Sequence, residues 1–143
     1  MSWIDSVLNL TAKTLRFKGV GIRSQSSAIR LLNTVPAQLD LFFHADVSSA
    51  NYIVLAEMPN GSKETFQVNV VAGLDSTRQI PSANILVYGR VFNNVSLVTM
   101  TATVDGGKCI VYGAPTTDAK TAYPGVPIQV KIFPIYMETI YGD

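Results

Sequence analysis

Apolar and polar residues alternate with a period of two along most of the chain, which is typical of β-strands that bury one face. Two clear examples are the alternating residues Leu39, Leu41 and Phe43 and, further on, Phe66, Val68 and Val70. The pattern predicts that strands dominate the chain after its first fifteen residues.

A tight turn is predicted between two of these strands. The runs 51–58 and 64–71 flank Pro59-Asn60-Gly61-Ser62. Asn-Gly readily adopts the positive φ angles of a two-residue turn, so the two runs are expected to form a hairpin.

A three-stranded meander is predicted in the second half of the chain. The run 85–92 is followed by Asn93-Asn94, the run 95–104 by Asp105-Gly106-Gly107, and these turn residues lead into the run 108–112. Consecutive strands separated by such short turns usually pair with each other.

The last strand-like run, 126–141, changes phase at Pro134. Its apolar residues are Ile128, Val130 and Ile132 in one phase and Phe133, Ile135 and Met137 in the other. A proline has no N–H for the ladder, so the strand is expected to lie at an edge, to be bulged, or to bend from one sheet to the other. The preceding connection, 114–127, contains three prolines and is predicted to be a long contact loop.

The N-terminal segment has the period of a helix instead. Ile4, Val7, Leu8, Thr11 and Leu15 recur at spacings of three and four. We predict a helix over residues 2–12, a strand beginning near Leu15, and a division into an amphipathic arm (1–14) and one β-sandwich domain (15–143).

These elements predict an all-β protein. Seven or eight short strands with one long connection are typical of an antiparallel β-sandwich with jelly-roll or Greek-key wiring. A chain of 143 residues fits one domain of ordinary size and needs no disulfide or metal to stabilise its core.

Composition adds a low charge to this picture. Hydrophobic residues make up 48% and charged residues 15% of the chain, and the formal net charge is +1, which argues against a nucleic-acid partner. Residues 1–39 carry five basic residues and one acidic residue, whereas the remainder carries six basic and nine acidic. Either the basic arm docks on an acidic partner surface, such as a neighbouring copy, or it is a solvated flank.

Candidate chemistry is sparse. The chain has one histidine, His44, and one cysteine, Cys109, which together cannot supply the ligands of a zinc site. His44 is expected to end a strand and Cys109 to be a small buried side chain. Asp75, Asp105 and Asp118 lack the spacing of a calcium loop. We therefore expect no enzyme activity, no metal and no cofactor.

The sequence gives little support for a phosphate loop or an export signal. Gly19-Val20-Gly21 lacks the longer glycine fingerprint and a following helix. Residues 1–13 lack the basic and apolar regions of a secretory signal, and the charge-free run 91–104 is too short and polar to span a bilayer. We expect a protein that is made in the cytoplasm, is not exported by a signal peptide and has no membrane partner.

A small β-sandwich of this kind, rich in Thr, Ser and Asn and with a terminal arm, resembles the structural proteins of tailed bacteriophages, particularly head cement or decoration proteins. The resemblance is architectural and is carried by no specific motif. It implies a virion location on the capsid surface, contacts with a major capsid protein, and a dimer or trimer of this chain.

The expected contact residues lie in two places. Near the N-terminus, in the arm and just after it, they are Trp3, Ile4, Val7, Leu8, Arg16 and Lys18, and in the long connection they are Tyr123 and Pro124. The alternative is a carbohydrate- or receptor-binding module associated with a phage tail or fibre. Its stacking platform would use Tyr112, Tyr123, Tyr136 and Tyr141.

Overall fold

Strands make up most of the part of the chain that the structure, a computed structural model, describes: residues 14–17, 20–23, 29–31, 35–74 and 80–141. The elements are β1 (Thr14–Phe17), β2 (Val20–Arg23), β3 (Ile29–Leu31), β4 (Ala37–Phe43), β5 (Val47–Glu57), β6 (Lys63–Leu74), β7 (Pro81–Phe92), β8 (Val98–Asp105), β9 (Lys108–Pro115), α1 (Thr117–Ala122) and β10 (Ile128–Glu138). The predicted strand near Leu15 is present as β1, whereas the predicted helix at 2–12 lies outside the described residues.

The strands form two antiparallel sheets. The large sheet has seven strands in the order β1-β2-β10-β5-β6-β7, with β3 also pairing with β10, and the small sheet has the order β4-β9-β8. In the large sheet β5, β6 and β7 follow one another, and β10 returns to lie beside β5, which is the Greek-key order. The prediction of an all-β antiparallel sandwich with Greek-key-like wiring is confirmed.

The core lies between the two sheets. Val54, Val68 and Val70 of the large sheet and Val98 and Val111 of the small sheet have no solvent exposure. From Ala50 in β5 and along β6, buried residues alternate with exposed or partly exposed ones, so the period of two in the sequence marks the inner face of these strands.

The predicted hairpin at Asn60-Gly61 is confirmed as β5 and β6. Gly61 has a φ of 90°, a conformation that glycine adopts without steric cost. The N–H of Met58 donates to the carbonyl of Ser62 at 2.9 Å and closes the turn.

The predicted meander is wrong at its first turn. β8 and β9 pair as predicted, but β7 belongs to the large sheet and β8 to the small one, so the chain crosses between sheets after Phe92. The Asn93 side chain accepts from the N–H of Lys63 at 2.8 Å and donates to the carbonyl of Gly61 at 3.0 Å. Asn93 therefore holds the chain against the β5–β6 turn and does not close a hairpin between β7 and β8.

The predicted phase change at Pro134 is also wrong. Ile128, Val130, Ile132, Pro134 and Tyr136 all face the core. The strand stays in the large sheet, beside β5 on one edge, and Pro134 lies between its pairings with β3 and with β2 on the other edge.

A bulge changes the inner face of β4. The register shifts between Gln38 and Asp40, after which Asp40 and Phe42 are buried while Phe43 is half exposed. The simple alternation of Leu39, Leu41 and Phe43 therefore does not describe one face of this strand.

Two further differences concern the connections. The long connection contains α1, whose N-cap Thr116 accepts through its Oγ1 from the N–H of Ala119 at 3.0 Å. Val20 and Gly21, in the segment where the phosphate-loop signal is weak, belong to β2, which pairs with β1 and β10.

Gly113 tests the side-chain packing on the inner face of the small sheet. A Cβ at Gly113 would lie 2.7 Å from Cδ1 of buried Leu39, whereas a Cβ at Gly73 would meet nothing within 4 Å. We expect Gly113→Ala to lower the free energy of unfolding by about 1–3 kcal/mol and Gly73→Ala to change it by less than about 0.5 kcal/mol. Urea denaturation of both variants measures the difference, and equal effects would contradict the packing described.

Candidate interaction surface

A buried carboxylate joins the two sheets at the β4 bulge. Asp40 of β4 accepts at Oδ2 from the hydroxyl of Tyr52 on β5 at 2.7 Å and from the hydroxyl of Tyr136 on β10 at 2.5 Å. The bulge directs Asp40 into the core, and the two tyrosines supply donors there. Hydrogen bonds to a buried carboxylate offset the cost of removing it from water.

Burial and this carboxylate affect the neighbouring groups. Burial raises the pKa of Tyr52 above its ordinary value, and the adjacent Asp40 charge adds to the rise. The Tyr136 ring also packs edge-to-face on Phe42, with centroids 6.1 Å apart. Tyr136 is therefore a core residue, and the predicted sugar-stacking platform that included it is wrong in this position.

A second buried carboxylate holds the crossover from β7 to β8. Glu64 of β6 is 1% exposed. It accepts from the N–H of Leu97 at 3.0 Å and from the N–H of Val98 at 3.3 Å, and it forms an ion pair with Arg90. The carboxylate thus satisfies the backbone where the chain enters the small sheet.

Arg90 reaches Glu64 because β7 is bulged. Thr65 pairs with Val91 and Gln67 with Tyr88, so Gly89 and Arg90 together lie opposite Phe66. Gly89 has a φ of 65°, as in a bulge whose first residue is a left-handed glycine. Arg90 also donates to Ser96 Oγ at 3.0 Å and to the carbonyl of Val98 at 3.1 Å, and it lies 4.3 Å from the centre of the Phe66 ring.

The outer face of the large sheet carries an exposed apolar cluster. Ile53 and Phe133 lie directly opposite each other on β5 and β10, and they are 49% and 40% exposed. Leu55 and Met137 are also exposed, and Ile135 is partly exposed. We call these five residues, Ile53, Leu55, Phe133, Ile135 and Met137, the outer patch.

The outer patch stops at β6. The β6 residues opposite Leu55, Ile53 and Asn51 on the same face are Thr65, Gln67 and Asn69, which are polar and uncharged, while Lys63 and the exposed Val71 lie at the two ends of this stripe. Beyond them β7 again exposes apolar side chains, and a groove of about 360 Å³ between Leu55 and Val91 lies at one end of this polar stripe. The outer face therefore has two apolar regions, the outer patch and β7. Contiguous exposed apolar side chains of this kind mark protein contact sites.

The predicted contact residues lie elsewhere or outside the described part of the chain. Trp3, Ile4, Val7, Leu8 and Lys18 are outside it, and Arg16 is in β1. Tyr123, at the C-cap of α1, is half-buried against the core, and the neighbouring Pro124 is exposed. Of the predicted contact residues that the structure describes, Pro124 is thus well placed for a partner, and Tyr123 presents part of its side chain.

The outer patch was missed, although its signal was present in the sequence. The run 132–137 is apolar in both phases. A strand that is apolar on both faces is expected to be covered on both faces. The change of phase at Pro134 instead predicts an edge strand, a bulge or a bend between sheets, and none of these identifies Phe133, Ile135 and Met137 as an outward-facing set.

His44 and Cys109, the two residues considered for catalysis, have structural roles in the fold. The backbone N–H of His44 donates to the carbonyl of Gly107 at 3.1 Å, and its Nε2 lies 3.4 Å from the carbonyl of Gly106. Cys109 is fully buried, as predicted, and burial raises the pKa of its thiol to about 11. Within the described ranges no three His, Cys, Asp or Glu side chains are grouped so that they could hold a metal ion.

Two comparisons found no match, and a third found similarity in fold. No protein-family model and no curated protein matches the sequence. Among solved structures, the chain is similar to part of the tailspike protein of Acinetobacter baumannii phage AM24, with a TM-score of 0.47 and 10% sequence identity. The alignment covers 81% of this chain and 26% of that one, so this chain spans well under a third of the tailspike. In the described part of the chain no helix is long and apolar enough to cross a membrane.

The Asp40 cluster gives a prediction for stability. Tyr136→Phe removes a hydrogen bond to a buried carboxylate, and we expect the free energy of unfolding to fall by about 1.5–3 kcal/mol. Tyr88→Phe is the matched control, because the Tyr88 hydroxyl is exposed and lies 3.5 Å from Asn69, and its effect is expected within about 0.5 kcal/mol. Urea denaturation that finds the two changes equal would contradict a stabilising role for the cluster.

Cys109 gives a prediction for pH dependence. Its pKa rises from 9.0 in a model thiol to about 11 in the folded chain, so above pH 9 the unfolded chain loses this proton first. The thiol then contributes stability that is lost as pH rises, with a slope of up to about 1.4 kcal/mol per pH unit. We expect denaturation midpoints of Cys109→Ala to fall less steeply above pH 9 than those of the wild type, and parallel slopes would contradict this.

Proposed function

We propose that the protein is a structural subunit of a phage particle that docks on the major capsid lattice as a cement or decoration protein. The outer patch is the observation that carries this proposal. It places five apolar side chains on one rigid sheet face, and β5 and β10 hold them in fixed register. Binding through such a face loses little conformational freedom, because the strands are already ordered.

The electrostatics of the outer patch support a protein partner. Among the described residues its charged neighbours on the same face are Lys131, Glu57 and Lys63, which lie together at one end, where Lys63 forms an ion pair with Glu57. A surface whose centre is apolar and carries no charge has the composition of the core of a protein interface. The proposal includes no catalytic step, and the basic arm, with Trp3 and Arg16, is a second proposed anchor.

A tail-associated module is the alternative to a capsid subunit. It would use the same apolar face against a tail protein or a receptor. The particle fraction that binds the protein distinguishes the two, so heads and tails are tested separately.

The proposal predicts that Ile53→Lys abolishes binding to heads. The change places a charge at the centre of the outer patch, where docking would remove it from water, and we expect at least about a tenfold loss of affinity. Purified protein is mixed with separated heads and tails from a phage whose own copy of the gene is deleted, and cosedimentation is measured. The matched control is Val35→Lys, which makes the same change at an exposed residue outside both sheets.

Three outcomes would contradict the proposal. Wild-type protein that binds tails and not heads would support the alternative. Wild-type protein that binds neither heads nor tails would show that it has no role in the particle. Equal binding of Ile53→Lys and Val35→Lys would show that the outer patch is not part of the contact.

A further inference from the structure

The strand β7 has the sequence of a central strand in the position of an edge strand. Among the described strands it ends the order of the large sheet. Its run Ile85-Leu86-Val87-Tyr88 is apolar in both phases, a pattern that is usual where both faces of a strand are covered. The position and the sequence therefore disagree, and a partner along this edge would resolve the disagreement.

The burial of the β7 side chains shows the same disagreement. The inward residues of the adjacent strand β6, such as Phe66 and Val68, are fully buried, whereas Ile85 and Val87 on the same side of β7 are partly exposed. On the outer face Leu86 is 60% exposed. The apolar side chains of β7 are thus incompletely covered on both faces at once.

This edge also lacks the usual protection against strand pairing. Natural edge strands are commonly short, or they carry outward charges, prolines or bulges. β7 has twelve residues, its proline is the first of them, and its bulge is at Gly89 near the other end. The segment between, Ser82–Tyr88, contains no charged residue, and the charge of Arg90 is directed to Glu64.

We propose that β7 pairs with β7 of a second copy, antiparallel and across a two-fold axis, so that the seven-stranded sheet continues through a dimer. An antiparallel ladder is symmetric about such an axis, so one strand supplies both the donors and the acceptors that its copy needs. An axis near Leu86 places this residue beside the partner subunit's Leu86, and Ile85 beside the partner subunit's Val87. Both incompletely covered faces of β7 then gain apolar neighbours.

An identical partner is favoured because this segment is neutral. Self-pairing places each side chain near a copy of itself, and like charges opposite each other destabilise a pair of strands. Seven uncharged residues avoid this repulsion. The proposal rests on β7 alone and does not depend on whether the outer patch docks on a capsid.

The size of the contact indicates a reversible dimer. Seven paired residues extend about 23 Å, and with a sheet about 10 Å thick the strand edge presents about 230 Å². This is below the roughly 800 Å² per partner of a standard stable interface. The test must therefore cover a wide range of protein concentration.

Charges of opposite sign introduced at Leu86 test the proposal. The full chain is prepared as wild type, Leu86→Lys and Leu86→Glu, and self-association is measured by sedimentation over a concentration series. Leu86 is outward-facing and largely exposed, so the folded monomer tolerates both changes. We expect the wild type to dimerise, each variant alone to dimerise at least about tenfold more weakly, and an equimolar mixture of the two variants to recover most of the wild-type association.

The matched control is Ile53→Lys, the same change on the same sheet face but two strands away from the edge. It is expected to leave self-association unchanged while it weakens binding to heads, so a failure of this proposal is distinguishable from a failure of the proposed function. A wild type that stays monomeric at every concentration would overturn the proposal, as would unimpaired dimers of both Leu86 variants. An equimolar mixture of the two Leu86 variants that does not regain dimerisation would overturn the proposal too.

Discussion

The buried carboxylate of Glu64 is the constraint on which the remaining architecture depends. A charge that is 1% exposed requires several donors, and the donors come from Arg90 and from the N–H groups of Leu97 and Val98. These groups belong to β7 and to the segment that enters β8. Satisfying the carboxylate therefore fixes where the chain leaves the large sheet and where it joins the small one.

The two exposed regions follow from this crossover. Because β8 departs to the small sheet, β7 ends the order of the described strands of the large sheet, and its apolar run remains at this edge. The small sheet has three strands and covers β5 and β6 more completely than β7. The outer patch on β5 and β10 lies on the opposite side of the large sheet from the core. The low charge of the chain, noted from its composition, thus corresponds to surfaces that are suited to contact with other proteins.

The features that could be predicted from the sequence depend on residues that are close together in the chain. The β5–β6 hairpin depends on Asn60-Gly61 and on adjacent alternating runs, and all of these are visible within about twenty residues. The crossover depends on Glu64 meeting Leu97, more than thirty residues away. Asp40 could not be assigned to the core, because its donor Tyr136 lies 96 residues away in the chain and because a bulge reverses its phase.

The outer patch and the β7 edge were predictable in part, because the apolar runs that form them are local features of the sequence. A run that is apolar in both phases indicates two covered faces, and both 132–137 and 85–88 have this pattern. The pattern does not reveal whether the second cover belongs to the same chain or to another. That distinction needed the strand order, which places β10 inside the sheet and β7 at its edge.

Hydrogen exchange along β7 tests most directly the claim that this edge is completed by a second copy. Peptides that span Pro81–Phe92 are followed at low and high protein concentration, with peptides from β9, the central strand of the small sheet, as the internal reference. The account predicts that exchange in β7 slows as concentration rises while exchange in β9 stays constant. Exchange in β7 that is the same at every concentration would contradict it.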